Sequence, residues 1–290
     1  MRTYLDCYPC FLRQALTAAR LAGATETLER EVVHQVLELL RDLPDAATPP
    51  VVADRVHRLV RAAAGHDDPY VAVKASTTAA AMALYPRLTA LVASSPDPFE
   101  TAVRVAIAGN VIDLGVRDDV PDLSETVERV LAAPLAIDDL AELRDAVGAA
   151  DTILYLADNA GETVFDRVLV ETLPHPVVYA VKGGPVLNDA TRADAEAAGL
   201  HLCATVVDTG SDAPGTTASL CSSEFRALLA DATVVIAKGQ ANYETLSEAG
   251  PRVFCLLQVK CPVIARDADV PVGSVVVRRS RPGAAAMLLG

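Results

Sequence analysis

The chain has 290 residues and a formal net charge of −13, with 25 Lys and Arg against 38 Asp and Glu. This length suits two domains, and the acidic balance disfavours a nucleic-acid partner, which would need a basic face. No apolar run is long enough to span a membrane and the first residues lack a signal-peptide core, so we expect a cytoplasmic protein without a membrane partner. The six cysteines should then be reduced thiols or ligands.

Residues 1–150 are predicted to form a helical N-terminal domain. Apolar residues recur at helical spacing in segments 7–22, 29–40, 51–64, about 70–86 and 98–114. In the last segment, Asn110 and Asp113 lie three residues apart on a face distinct from the apolar stripe. We interpret these two polar residues as candidates for a substrate-binding site.

From Asp151 the pattern changes to strands alternating with helices. The apolar runs that indicate strands are 152–157, 177–181, 202–207, 233–237, 252–258 and 275–277. Such alternation predicts an α/β fold, with a mostly parallel, Rossmann-like sheet flanked by helices in residues 151–290.

Polar residues follow these strands at the point where each strand ends. The first and second predicted strands lead into Asp158, Asn159 and Glu162 and into Lys182, Asn188 and Asp189; the third leads into the polar run 208–212, the fourth into Lys238, Gly239, Asn242 and Tyr243, and the fifth into Lys260. The chain has only four lysines and four asparagines, and most of them fall in these clusters. Because parallel strands place their carboxyl ends at one edge, where α/β sheets bind ligands, the clusters should converge.

The converging residue types favour a metal ion beside an anion. Carboxylates of Asp158 and Asp189 and the amide oxygen of Asn159 suit a hard divalent ion such as Mg²⁺ or Mn²⁺. Lysines and helix N-termini supply what an anion needs. Together they predict hydrolysis of a small phosphate ester, with a nearby lysine neutralising charge and either water or Asp158 as the nucleophile.

Two other site types fit the sequence less well. A nicotinamide or adenosyl site needs a glycine-rich turn after the first strand and an acidic residue after the second, whereas the second strand here ends in Lys182. The C-x-x-C of Cys7 and Cys10 has no matching second pair, which favours two small residues packed at a helix start. A metal or redox role, with Cys261 as a distant partner, is the alternative.

Several motifs in order along the chain resemble the damage-control phosphatases, formerly domain of unknown function 89. The motifs are D-N-A-G-E at 158–162, K-G-G-P-V-L-N-D-A-T at 182–191, D-T-G at 208–210, K-G-Q-A-N-Y-E at 238–244 and K-C at 260–261. The N-terminal C-x-x-C, D-P-Y-x-x-x-K at 68–74 and G-N-V-I-D-L-G at 109–115 are similar to the stand-alone prokaryotic branch of that family.

This resemblance implies a helical region packed on an α/β domain and a metal-dependent phosphatase that acts on small phosphometabolites, such as sugar phosphates or damaged cofactor intermediates. Asp158, Asn159 and Asp189 would hold Mn²⁺, Mg²⁺, Co²⁺ or Ni²⁺. Glu162, the 239–243 loop and Lys260 would contact substrate, with Lys260 gripping the phosphate. A non-catalytic metabolite-binding regulator and an S-adenosylmethionine-dependent carboxyl methyltransferase are the alternatives, and the missing nucleotide-type turn disfavours the second.

Overall fold

The computed structural model describes residues 1–44, 47–111 and 123–283. Its helices are α1 Cys7–Leu21, α2 Glu26–Arg41, α3 Pro49–Ala64, α4 Val71–Ala93, α5 Pro98–Val111, α6 Leu123–Ala132, α7 Leu140–Ala149, α8 Thr163–Val170, α9 Arg192–Ala197, α10 Ser223–Asp231, α11 Gly239–Leu246 and α12 Pro262–Ala268. Its strands are β1 Leu135–Asp138, β2 Ile153–Leu156, β3 Val177–Val181, β4 Thr205–Asp208, β5 Val234–Lys238, β6 Val253–Gln258 and β7 Val275–Arg279.

The strands form one sheet in the order β1-β7-β6-β5-β2-β3-β4. Neighbouring strands are parallel except for β6 and β7, which are antiparallel. The predicted α/β fold with a mostly parallel sheet is therefore confirmed.

The order of the strands reverses between β2 and β5. From β2 the chain builds outward through β3 to β4, and it then returns to β5 and builds the other way to β6. The loops after β2 and β5 thus leave the sheet side by side, in the crevice where open α/β sheets bind ligands.

Alternating side chains of the central strands enter two different cores. Ile153 and Tyr155 of β2 are buried with residues of α5 and α8, whereas Leu154 and Leu156 pack on the other face with residues of α10 and α11. Such a strand is buried on both faces, as its continuous run of apolar residues predicts.

A third core joins α1, α2 and α3 to one another. Phe11, Val32 and Val56 are buried there together with Val263 of α12, and Leu187 packs against the same cluster. Helices α1–α3 therefore pack against segments that follow the carboxyl ends of β3 and β6.

Two elements differ from the sequence predictions. Residues 135–138 form β1, which pairs in parallel with β7, so the prediction of helices up to residue 150 is wrong at this strand. Four residues are too few to show a period. Helix α4 also continues through Pro86 to Ala93, because Leu88 and Val92 enter the core and their burial offsets the hydrogen bond that proline cannot donate.

Within the described residues, no helix combines the length and hydropathy needed to cross a bilayer.

Candidate active site

The site is centred on Asp158, two residues after β2. Its carboxylate is buried, and its Oδ2 accepts hydrogen bonds from the amide nitrogens of Asn110 at 2.9 Å and Asn159 at 3.0 Å. Gly239, at the end of β5, lies directly against it, because a Cβ at Gly239 would stand 1.9 Å from that same oxygen. The two loops at the reversal of strand order therefore meet at one carboxylate.

The loop after β3 joins this site through its backbone. Ala190 donates its N–H to the carbonyl of Asp158 at 2.8 Å, and Ala160 donates to the carbonyl of Asn188 at 2.8 Å. Asn159 and Asp189 face each other in an antiparallel bridge. The predicted convergence of the 158–162 and 182–191 motifs is thus observed in the structure.

Several charges act on Asp158. Burial, followed by the nearby carboxylates of Glu162 and Asp189, raises the pKa of Asp158 well above its usual range. Lys260 and Lys182 oppose this rise. The ammonium of Lys182 lies 3.6 Å from Asp189 and donates to the carbonyl of Gly215 at 2.5 Å.

Lys260 lies at the same edge, half-buried, in the loop between β6 and α12. Its backbone N–H donates to the side-chain oxygen of Gln240 at 2.7 Å, which ties this loop to the start of α11. Because its charge lowers the pKa of Asp158, the lysine belongs to the same electrostatic site. Asp113, which the sequence pattern pairs with Asn110 as a substrate-binding candidate, lies outside the described residues.

Lys238 does not have the substrate-binding position that the sequence predicted for it. Its side chain is fully buried, and its ammonium donates to Glu162 at 2.6 Å, to Asp166 at 2.5 Å and to the carbonyl of Ala106 at 2.9 Å. An ammonium has three protons, and all three have partners inside the protein. This geometry replaces the predicted substrate contact with an internal ion-pair network.

Asn242 and Tyr243 are also internal. The Asn242 amide donates to the carbonyls of Ala157 at 3.0 Å and Lys238 at 2.9 Å, and its oxygen accepts from Thr216 at 2.8 Å. These bonds hold the ends of β2 and β5 together.

Tyr243 is 0% exposed and points into the opposite core. Its hydroxyl donates to Asp267 at 2.9 Å and accepts from Arg278. Tyr243 therefore does not reach the cleft as the sequence predicted, because α11 turns this side chain under the sheet.

Three residues of the network were missed by sequence reasoning: Asp166, Tyr155 and Tyr179. Both tyrosine hydroxyls donate to Asp166 at 2.7 Å, and the two tyrosines are register partners on β2 and β3. A tyrosine in a fully buried strand does signal a hidden acceptor, since its hydroxyl requires one. The identity of that acceptor depends on helix packing, which no spacing reveals.

The lysine of the D-P-Y-x-x-x-K motif forms two ion pairs inside the protein. The buried ammonium of Lys74 lies 2.7 Å from Asp68 and 3.3 Å from Asp194, so it links α4 to the start of α9. Asp194 also closes the capping box with Thr191, just after the Asp189 loop. The motif thus supports the loop that carries a predicted ligand.

The C-x-x-C cysteines lie near Cys261, the distant partner suggested from sequence. Cys7 is buried in the core of α1, α2 and α3, and Cys261 packs against that core. All six cysteines are free thiols. Burial raises the pKa of the Cys7 and Cys261 thiols. Within residues 1–44, 47–111 and 123–283, no three Cys, His, Asp or Glu side chains group closely enough to hold a metal ion.

Comparison with known proteins agrees with the motifs. A sequence model of the family described as the damage-control phosphatase ARMT1-like domain matches residues 3–276. This chain belongs to that family. A damage-control phosphatase of Pyrococcus horikoshii is 35% identical over 287 residues, covering 97% of this chain and 99% of its own. A damage-control phosphatase of Archaeoglobus fulgidus is 32% identical over 283 residues, covering 94% and 97%.

A crystal structure shows the same fold. The DUF89 family protein from Pyrococcus horikoshii superposes with a TM-score of 0.87 at 35% identity, covering 97% of this chain and 100% of that one. The resemblance inferred from the motifs is confirmed, and the damage-control phosphatase fold of this chain extends over nearly its whole length.

One acidic residue of this damage-control phosphatase chain should control its stability at neutral pH. Burial raises the pKa of Glu244, in α11, from 4.5 to about 8. Between these values the folded chain keeps a proton that the unfolded chain loses, so stability falls as pH rises, by roughly 1 kcal/mol per pH unit. We expect Glu244→Gln to remove this fall.

Thermal unfolding from pH 4 to pH 9 would measure the effect. The melting temperatures of Glu244→Gln and wild type should coincide near pH 4, and the variant should melt higher by pH 8. Exposed Glu38 on α2 provides the control, because Glu38→Gln should melt with the wild-type pH dependence. Parallel curves for wild type and Glu244→Gln would contradict the assignment.

Proposed function

We propose that this chain is a divalent-metal-dependent phosphatase that hydrolyses small phosphorylated metabolites. The observation that carries the proposal is the meeting of Asp158 and Asp189 at the reversal of strand order, joined by the hydrogen bond between the Ala190 N–H and the Asp158 carbonyl. Lys260 and Lys182 both act on Asp158, and Lys182 also pairs with Asp189. Membership of a phosphatase family supports the reaction class.

The residues present fit a hard divalent cation. Asp158 and Asp189 are 8% and 3% exposed. Their carboxylates repel each other when both are ionised, and a bound cation would offset that repulsion. The Asn159 amide nitrogen donates both to Asp158 at 3.0 Å and to Glu162 at 3.2 Å. The oxygen of the same amide, Oδ1, is therefore the atom that would coordinate a cation. The carboxylate oxygens of Asp158 and Asp189 and the amide oxygen of Asn159 are ligands that suit Mn²⁺, Mg²⁺, Co²⁺ or Ni²⁺.

When bound, such an ion polarises a phosphoryl oxygen and lowers the pKa of bound water. The chain's own contribution is position and charge. Lys260 would hold the phosphate and offset the negative charge that develops on its oxygens during transfer. Asp158, Asp189 and Asn159 would be kept in place by the backbone bonds between their loops.

A small substrate fits the charge of the chain better than a polymer. With a net charge of −13, the protein repels a long polyanion, whereas a single phosphate needs only the local positive charge of Lys260. Sugar phosphates and damaged phosphometabolites are therefore the substrate class that we propose.

Phosphate release tests the proposal directly. The purified chain would be assayed with Mn²⁺, Mg²⁺, Co²⁺ and Ni²⁺ against a panel of sugar phosphates and other phosphometabolites, with chelator-treated protein as the blank. We expect turnover with at least one ion and none after chelation. Metal binding without phosphate release from any substrate would instead favour the non-catalytic binding protein.

A further inference from the structure

Glu162 is oriented entirely toward the protein interior. Its side chain is 0% exposed, and its Oε1 accepts from Lys238 at 2.6 Å. Its Oε2 accepts from the amide nitrogens of Asn110 and Asn159, each at 3.2 Å. Both carboxylate oxygens of Glu162 are therefore engaged by donors within the protein.

Lys238, the partner of Glu162, is fixed by further contacts inside the protein. Lys238 also donates to Asp166 and to the backbone of α5 at Ala106, and these contacts use its remaining protons. Asp166 in turn accepts from Tyr155 at one oxygen and from Tyr179 at the other, each at 2.7 Å. The two tyrosine rings stack with centroids 5.2 Å apart, so the network is anchored on β2 and β3.

The two asparagines connect this network to the site. The amide nitrogens of Asn110 and Asn159 both donate to Glu162 Oε2, and both also donate to Asp158 Oδ2. A carboxylate offers only acceptors, so it determines which end of each amide faces inward. Because the nitrogen of half-buried Asn159 donates to Glu162 and Asp158, its oxygen lies on the opposite side of the amide.

We propose that Glu162 is a positioning residue: with Lys238 and Asp166 it orients the Asn159 amide, and it does not contact substrate. This inference rests on the proposed metal-dependent phosphatase, because the atom being oriented is the predicted ligand oxygen of Asn159. It differs from the substrate contact that the family resemblance implied for Glu162. Residues that orient a metal ligand act through the ligand's other hydrogen bonds.

Glu162→Gln tests the orientation. A glutamine has the same shape, but its NH₂ must face either Lys238 or the two asparagine NH₂ groups, and each choice sets donor against donor. We expect Mn²⁺ affinity to fall about 10- to 100-fold by titration calorimetry. At fixed, limiting Mn²⁺, kcat should fall and should recover with excess Mn²⁺, while KM for the phosphate ester should stay within about twofold of wild type.

The matched control is Glu171→Gln at the other end of α8. Glu171 is exposed and accepts from Tyr85 at 2.6 Å and Arg167 at 2.8 Å, far from the asparagines. This variant should bind Mn²⁺ as wild type does.

Should Glu162→Gln fail to fold, Tyr179→Phe decides the question. It removes one hydroxyl donor from Asp166 and changes no charge, so Mn²⁺ affinity should fall in the same direction by a smaller factor. Tyr85→Phe, which removes a hydroxyl donor to an exposed carboxylate, is its control and should leave Mn²⁺ affinity unchanged.

Two results would overturn the inference, and they differ from each other. Wild-type Mn²⁺ affinity with a raised KM in Glu162→Gln would make Glu162 a substrate contact and leave the phosphatase assignment intact. No Mn²⁺ binding and no phosphate release by the wild-type chain would overturn both the inference and the proposed function.

Discussion

Asp158→Asn should strongly reduce phosphate release and at the same time raise the melting temperature of the metal-free protein. The activity should fall by about 10²- to 10³-fold or more, because the variant lacks the charge on which the proposed cation and phosphoryl group depend. The stability should rise because the folded chain opposes ionisation of Asp158, whereas the unfolded chain does not. Asparagine keeps an oxygen that can accept from Asn110 and Asn159.

Phosphate release at saturating Mn²⁺ and thermal unfolding in chelator would measure the two effects. A gain of 1 kcal/mol should appear as a rise of about 2–4 °C in a chain of this size. Asp138→Asn is the control, since Asp138 ends the edge strand β1 and is exposed. Full activity in Asp158→Asn would remove this carboxylate from the reaction, and a lower melting temperature would contradict the electrostatic account.

Gly239→Ala should reduce turnover by about 10²-fold through displacement of Asp158. The added Cβ would lie 1.9 Å from Asp158 Oδ2 and 2.2 Å from its Cγ, so the carboxylate must move by an ångström or more. A shift of that size in a reacting group costs rate on this order. Gly239 also has φ of +76°, which alanine adopts at a cost of roughly 1–2 kcal/mol.

Gly23→Ala separates the displacement from the backbone strain. Gly23 lies between α1 and α2 with the same φ of +76°, and a Cβ there meets nothing within 4 Å. Both variants should lose stability in denaturant titrations, Gly239→Ala by at least as much as Gly23→Ala, but only Gly239→Ala should lose phosphate release. Equal activity in the two variants would show that Asp158 tolerates the shift or takes no part in the reaction.

The strand ends of this protein were predictable because β2, β3, β5 and β6 are continuous apolar runs followed by polar residues. A parallel sheet gathers such ends at one edge, whatever the details of packing. Asp158, Asn159 and Asp189 are therefore brought together as the sequence predicted. β1 could not be predicted, because its four residues, none of them fully buried, are too few to show a period and because it pairs with β7, about 140 positions later.

The sequence by itself determined which segments end at the site, since hydrophobic period and chain order decide the sheet. Only the tertiary structure decided where each side chain points. Lys238 ends β5, and Gly239 and Tyr243 follow it, yet Lys238 turns to buried Asp166 and Tyr243 to Arg278. A buried charge or hydroxyl must find its partner, and helix packing supplies that partner from residues distant in sequence.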